Sequence, residues 1–428
     1  MTPSNPSSFV PPAGYQPVPS AVAGISLYAP VKAADPNAAP VTYLCPQCGA
    51  PTRFDVAAGG VACEHCGYRA PARAEQVGRQ AQETEFTLAA LAESRLGWGV
   101  TRRQLHCDSC GAELEVAENA LTATCPFCAS SQVNLRQSPG DHLRPRFLVP
   151  FTVQAADCQR QAREWLGRGW YHPKELARRA ALQPFTGLYL PFWTFSAQVN
   201  AGWRAEVGHE RIESYYDAAS KSTRTRTRID WRWESGQVQA AYRDLLVTGS
   251  SHVSRILLER IQPFELNSLA TYSPDYLAGW QAQVYDVPLE TAWEEGRAQM
   301  REQSKQQCRQ SIHSSHVRNF SMAADFEDEA WRFILLPVYL TAYRYDQRVF
   351  QVLLNGQSGK IAGQKPVDWW KIWLAITAML LPALVAGLVG LTWQPGDMRV
   401  LILALVLLVL GIVGAVLLYR RAASAEEA

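Results

Sequence analysis

The chain has 428 residues, 47% of them hydrophobic, with ten cysteines and a formal net charge of +2. This balance excludes a global electrostatic pull toward nucleic acid or acidic partners, and the length leaves room for two or three soluble domains beside a membrane segment. Eight cysteines fall in Cys-x2-Cys pairs with no signal peptide ahead of them, which favours metal ligation in a reducing compartment over a disulfide framework.

Residues 1–40 hold nine prolines among Ala, Ser and Gly, with one Lys and one Asp. Such a composition buries too little apolar surface to offset the entropy of ordering, so a disordered tail is expected. Its stretch from Val10-Pro11-Pro12 to Val18-Pro19 is also a candidate segment for a polyproline-binding partner.

In Cys45-Pro46-Gln47-Cys48-Gly49 and Cys63-Glu64-His65-Cys66-Gly67, 14 residues lie between Cys48 and Cys63, and the same interval lies between Cys110 and Cys125 in Cys107-Asp108-Ser109-Cys110-Gly111 and Cys125-Pro126-Phe127-Cys128. This is an internal repeat. Each pair turns tightly enough for two thiolates to meet one Zn2+ at ~2.3 Å, the glycine permits the turn's backbone angles, and four Cys close the coordination sphere. Residues 41–72 and 105–135 therefore read as two β zinc ribbons holding two structural Zn2+. A redox dithiol is the competing reading, and neither pair has the strand–helix setting it requires. His65 and His106 adjoin ligands without being needed as ligands. In the second ribbon Leu114 and Val116 alternate with Glu113 and Glu115, then Leu121 and Ala123 with Thr122 and Thr124, the pattern of a hairpin turning near Asn119.

Residues 41–135 contain seven Arg, no Lys and ten acidic residues, a net charge of −3, which favours protein over nucleic acid as the partner of the ribbons. In the linker, residues 73–104, the run from Glu83 to Leu96 reads as an amphipathic helix with Phe86, Ala90, Leu91 and Leu96 near one face.

Residues 144–368 read as an aromatic-rich α+β domain. Leu148-Val149-Pro150-Phe151, Leu190-Pro191-Phe192-Trp193 and Leu336-Pro337-Val338-Tyr339 each lead into an extended run. Trp193, Phe195, Ala197 and Val199 alternate with polar residues as on a half-buried strand. The run after Pro337 turns at Asp346-Gln347, returns from Val349 to Leu354 and ends at Asn355-Gly356. Helices are expected at about Ala155 to Leu166 and Leu289 to Ile312. Arg224, Arg226 and Arg228 alternate with Thr225, Thr227 and Ile229, so on a strand they share one face, either as an anion or lipid-headgroup patch or as charge guarding a strand edge.

Gly356-Gln357-Ser358-Gly359-Lys360 lacks the spacing of a Walker phosphate loop and reads as a turn. His313 and His316 have no evident carboxylate or Cys partner for a metal, and Cys158 and Cys308 read as helix cysteines facing an interior. The chain carries no nucleophile-elbow, kinase or zinc-protease signature, so no enzymatic activity is expected.

From Ile372 to Trp393 run 22 residues without charge, and from Val400 to Tyr419 another 20. Each makes a helix of ~30 Å, and the short Pro-Gly connection makes residues 372–419 a transmembrane hairpin with a tail at 420–428. Lys360, Lys365, Lys371, Arg420 and Arg421 flank it, against Arg399 alone in the loop. The positive-inside rule then places both termini in the cytoplasm and the chain in the inner (cytoplasmic) membrane. Trp369, Trp370, Trp373 and Tyr419 at one level and Trp393 at the other match aromatic belts.

The arrangement resembles a family of bacterial membrane-anchored zinc-ribbon proteins of the YdjG type, often labelled primosomal replication-factor-Y-like or transcription-factor-IIB-type ribbon proteins. The eight ribbon cysteines, Leu190-Pro191-Phe192-Trp193 and Asn355-Gly356-Gln357-Ser358-Gly359-Lys360 carry the resemblance, which covers nearly the whole chain after residue 40. It implies a membrane scaffold in envelope-stress or membrane-remodelling systems, with phage-shock-protein-A-like or flotillin-like protein partners. The expected function is a non-enzymatic, cytoplasm-facing adaptor. The alternative is a membrane-tethered nucleic-acid binder, favoured by ribbon type and the arginine row and opposed by ribbon charge.

Overall fold

A computed structural model describes residues 15–18, 27–30, 44–72, 74–85, 103–116, 125–128, 130–137, 142–173, 175–176, 181–182, 184–217, 222–346, 348–392 and 398–427. The chain divides into two units, residues 1–42 and 43–428. In the first, strands β1 (Tyr15–Val18) and β2 (Leu27–Pro30) pair antiparallel with Tyr15 opposite Pro30. The described part of a tail expected to be disordered is thus a short ladder.

The second unit begins with the first ribbon, a three-stranded sheet of β3 (Arg53–Asp55), β4 (Gly60–Ala62) and β5 (Arg69–Pro71). In the linker, β6 (Thr84–Glu85) lies against Trp331 and Ala330. The helix expected from Glu83 to Leu96 falls mostly outside the described residues, and its first residues are extended. The cause is tertiary: Ser196 and buried Arg332 both donate to the Glu83 carboxylate. The second ribbon supplies β7 (Arg103–Cys107), β8 (Glu113–Val116) and β9 (Val133–Gln137). The return strand expected at Leu121 to Thr124 lies outside the described residues.

The rest of the unit runs β10 (Phe147–Leu148), α1 (Ala155–Leu166), β11 (Ala181–Leu182), β12 (Thr186–Asp217), β13 (Ser222–Thr248), α2 (Arg255–Ile261), β14 (Ala270–Thr271), β15 (Gln281–Gln283), α3 (Leu289–Gln310), β16 (His316–Tyr345), β17 (Arg348–Asn355) and β18 (Ile361–Gly363). Two apolar helices follow, α4 (Trp369–Thr392) and α5 (Met398–Glu427). β12 is the spine. It pairs antiparallel with β16 on one edge, and on the other first parallel with β15 and then antiparallel with β13. β15 pairs with β8, so the second ribbon continues the central sheet.

Side chains alternate between two cores. Trp193, Phe195, Trp331, Phe333 and Tyr339 face one side, where α1 and α3 cover them with Ala162, Leu166, Trp293 and Met300. Leu188, Leu190, Phe192, Ile334 and Val338 face the other, where the second ribbon and α2 supply Leu105, Leu114, Phe127, Leu257 and Ile261. The α+β reading holds, with the ribbon as part of one covering layer. Gly187 is required by this packing, since a Cβ there would lie 1.8 Å from the Trp280 ring, which stacks on Phe151 at 4.4 Å.

Two prolines sit inside central strands, where a missing N–H normally breaks a ladder. Pro191 falls where the partner on that edge changes from β15 to β13, and Pro337 where the outer partner of β16 changes from β10 to β17. Each occupies a gap in the ladder, and its carbonyl still accepts, from Gly249 N at 2.8 Å and Gly356 N at 2.9 Å respectively.

β12 has 32 residues, which at ~3.3 Å each is a strand of ~100 Å. β16 starts opposite Gly208, so β12 and β13 continue beyond it as a two-stranded hairpin to Asp217 and Ser222. α4 and α5 form an antiparallel pair, with Trp369 at the start of one against Tyr419 of the other at 5.5 Å between ring centroids and Gly390 against Val400 at the opposite end. Both are long and apolar enough to cross a membrane, with mean hydropathy of 2.3 and 3.3. The connection at residues 393–397 lies outside the described residues.

Candidate metal centres

The first-ribbon cysteines Cys45, Cys48, Cys63 and Cys66 converge, as do Cys107, Cys110, Cys125 and Cys128 of the second, and within each group the sulfurs all lie within 4.8 Å of one another. Sγ–Sγ separations are 3.4 Å for Cys45–Cys66, 3.6 Å for Cys48–Cys63, 3.6 Å for Cys107–Cys128 and 3.7 Å for Cys110–Cys125, with no disulfide among them. A tetrahedron with ~2.3 Å metal–sulfur arms has edges of ~3.8 Å, so each set fits one Zn2+ and fills its coordination sphere.

The knuckles are made by local backbone geometry. Gly49, Gly67 and Gly111 have φ of 71°, 75° and 76°, in the left-handed region that a Cβ disfavours. There each N–H reaches back to the first Cys carbonyl of its pair, at 2.8 Å to Cys45, 3.0 Å to Cys63 and 2.8 Å to Cys107. The amides of Cys66 and His65 donate to the Cys63 sulfur and hold its thiol down at about 6. In the second ribbon burial pushes Cys110 up to about 11, and a divalent cation supplies the charge that keeps such sulfurs as thiolates.

The two centres differ in what surrounds them. Cys48 and Cys66 of the first are exposed, and this ribbon docks through Phe54, whose ring meets Tyr276 at 4.9 Å and whose amide donates to Ala278 O at 2.8 Å. Cys107 and Cys125 of the second are buried in the core with Leu105, Leu114 and Phe127, and Gln351 Nε2 donates to the Phe127 carbonyl at 2.9 Å. His106 lies beside carboxylates, with Nδ1 3.5 Å from Glu113 and Nε2 3.9 Å from Asp108, and His65 is exposed.

Arg224, Arg226 and Arg228 do share one strand face, opposite Tyr215, Glu213 and Arg211. They stand on the distal hairpin, at the far end of β12 from the sheet segment that holds the linker to α4. Arg226 Nη2 lies 3.1 Å from Glu213, and Arg228 lies 3.8 Å from both Glu213 and Asp230. The other face of this hairpin carries Ile212, Tyr216 and Ile229 among Glu210, Ser214, Thr223, Thr225 and Thr227, and continues at its base into Trp231 and Trp233 opposite Gly208 and Glu206. Arg318 covers the Trp231 ring at 4.0 Å and Arg204 the Trp233 ring at 4.6 Å, while Ile212 is 73% and Tyr216 67% exposed.

Of the remaining candidates, Gly356 to Lys360 is the turn between β17 and β18, closed by Asn355 Oδ1 accepting from Gln357 N at 2.8 Å and Ser358 N at 3.0 Å. His316 heads β16 and meets Glu210 at 3.1 Å. Cys158 and Cys308 are buried. Sequence reasoning missed Arg332, which is 1% exposed and donates to Thr194 Oγ1, Ala81 O, Glu83 and Asp244. A cavity of about 520 Å3 opens beside it, next to Arg79, Ser196 and Asp328. Asp244 and Asp328 take positive φ of 57° and 51° at bulges on either side of Ser196. The signal available beforehand was a lone Arg in the apolar run Trp331 to Tyr339.

No protein-family model matches the chain, and no solved structure matches it. It is similar to the uncharacterized protein YdjG of Bacillus subtilis (strain 168), 23% identical over 345 residues, which span 78% of this chain and 92% of that protein. The two four-cysteine centres and the pair of apolar helices make this chain a zinc-binding protein with a membrane-associated helical hairpin.

Proposed function

We propose that this protein is a non-enzymatic scaffold, anchored in the membrane by α4 and α5 and facing the cytoplasm, that recruits protein partners. The observation that carries the reading is the distal hairpin of β12 and β13, which reaches ~30 Å past the start of β16 and exposes Ile212 and Tyr216 on one face. Exposed aromatic and aliphatic side chains on one face of a projecting ribbon mark protein contact. The zinc centres support this role from within: each is closed by four cysteines, and the second lies in one covering layer of the sheet. The tethered nucleic-acid reading draws on the arginine row, but Glu213 and Asp230 offset its charge at close range.

The test is a detergent-solubilised pull-down from native membranes, comparing the intact chain with one whose residues 209–230 are replaced by Asn-Gly. Specific proteins lost with the hairpin support the scaffold. A protein set unchanged by its removal overturns the docking role, and nucleic acid lost with it makes the tethered binder the better reading.

A further inference from the structure

The loop after α1 is tied to the start of the first apolar helix. Asp368 N donates to Tyr171 O at 2.8 Å, and Lys371 Nζ, in the first turn of α4, donates to His172 O at 2.8 Å. Buried His172 donates from Nδ1 to Pro366 O at 2.9 Å. Lys365 closes the other side, donating to the carbonyls of Trp165 and Arg168 with its ammonium 3.9 Å above the Trp165 ring. Gly167 to Pro173 therefore cannot move independently of residues 365–371.

Trp170 is on this loop and is 57% exposed, although a Trp in a soluble setting is usually covered. The bonds that the Tyr171 and His172 carbonyls accept tie the two residues after it to the start of α4, where Trp370 is 74% exposed. Arg168 is on the same loop with a largely exposed side chain, its Nη2 3.7 Å from the likewise solvent-facing Glu164 one helical turn earlier, and Arg420 and Arg421 occupy the matching end of α5, while Lys371 is half-buried and pairs with Asp368 at 3.0 Å. Exposed indoles and cations at one level are what a headgroup layer takes up, the ring in the interfacial zone and the charge on phosphate.

We propose that the Gly167–Pro173 loop is a second membrane contact, in which Trp170 enters the headgroup layer and Arg168 binds anionic phospholipid. The inference rests on α4 and α5 spanning the bilayer. It adds a third point of attachment beside the two helices, and three points fix the tilt of the soluble unit where two leave it free to rock.

The experiment uses the full chain labelled with fluorotryptophan in phosphatidylglycerol-containing nanodiscs, with a small share of lipid bearing a nitroxide near its glycerol backbone. Substitutions Trp170→Phe and Trp370→Phe assign the two fluorine resonances. Loss of the Trp170 signal to nitroxide broadening alongside that of Trp370 is the expected result. Loss at Trp370 with Trp170 unaffected overturns the loop contact while leaving the helical anchor standing. Signals unaffected at both positions overturn the anchor and the loop contact together. An Arg168→Glu chain is expected to retain less phosphatidylglycerol by native mass spectrometry, and unchanged retention overturns the headgroup assignment.

Discussion

Arg332 keeps its charge in the interior because four partners from three distant segments meet it: Ala81 and Glu83, Thr194, and Asp244. Arg332→Met leaves the buried Asp244 carboxylate with only the half-exposed Arg79, 3.7 Å away, so a loss of about 3 kcal/mol is expected. Urea unfolding of the solubilised protein measures it, and proteolysis at residues 81–85 is expected to rise because Arg332 holds that stretch. Cys158 behaves oppositely to the metal ligands. Burial pushes its thiol up to about 12 and raises Cys308 as well, leaving on the order of one Cys158 in ten thousand as thiolate at pH 8. Alkylation followed by mass spectrometry is expected to find both unmodified in the zinc-loaded native chain. Burial also lowers Lys365 from 10.5 to about 8. The unfolded chain then holds that proton more tightly, so the penalty is complete below about pH 8 and is relieved as pH rises to 10.5. A melting-temperature profile across that window is expected to rise more for the intact chain than for Lys365→Met. The zinc ligands were legible in the sequence because Cys-x2-Cys chemistry is local. Arg332 and Lys365 were not, since the carbonyls and carboxylates that define them arrive from far along the chain.

At the scale of elements, α1, α3 and the turn from β17 to β18 were legible from period and turn chemistry. The length of β12 was not. From Leu188 to Trp193 both of its faces are covered, so alternation fades into a continuous apolar run, and beyond Gly208 only β13 supports it. Pro191 and Pro337 also interrupt the pattern in a way that argues for strand ends, and only the change of partner strands explains why the strands continue. The distal hairpin lies past the last β16 pair and beyond the cluster of Val207, Cys308 and Ile312 that packs α3 against the sheet. Replacing residues 209–230 by Asn-Gly is therefore expected to leave zinc content and melting temperature unchanged, as metal analysis and calorimetry can show.

Across the whole molecule, the sequence reading set the ribbons out as segments apart from the middle domain, whereas the structure joins them to it. The second ribbon's partner, β15, comes 169 residues after Leu114, and the partner of β6 in the linker, residues 330–331, comes 247 after Thr84; no local pattern announces such pairings. This arrangement predicts unequal responses to metal loss. Cys107→Ser disturbs a core shared with Leu188, Phe192 and Ile334, so much of the zinc contribution, on the order of 10 kcal/mol, is lost to the central sheet. Cys48→Ser, at an exposed knuckle, is expected to release one Zn2+ with a far smaller drop in melting temperature. Native mass spectrometry and calorimetry on the two variants separate the cases.

The joining of Leu114 to Gln283, 169 positions later, also sets a timetable for synthesis. At 5–20 residues per second the second ribbon leaves the ribosome roughly ten to thirty seconds before the strand that covers it. Leu105, Leu114, Val116 and Phe127 are exposed during that interval, and a zinc-loaded ribbon waits beside an unfinished sheet. The strands that complete the sheet are followed almost at once by α4, so the soluble unit closes while its anchor is being delivered to the bilayer. A nascent chain slowed between residues 135 and 280 is then a natural client for a chaperone that shields apolar surface.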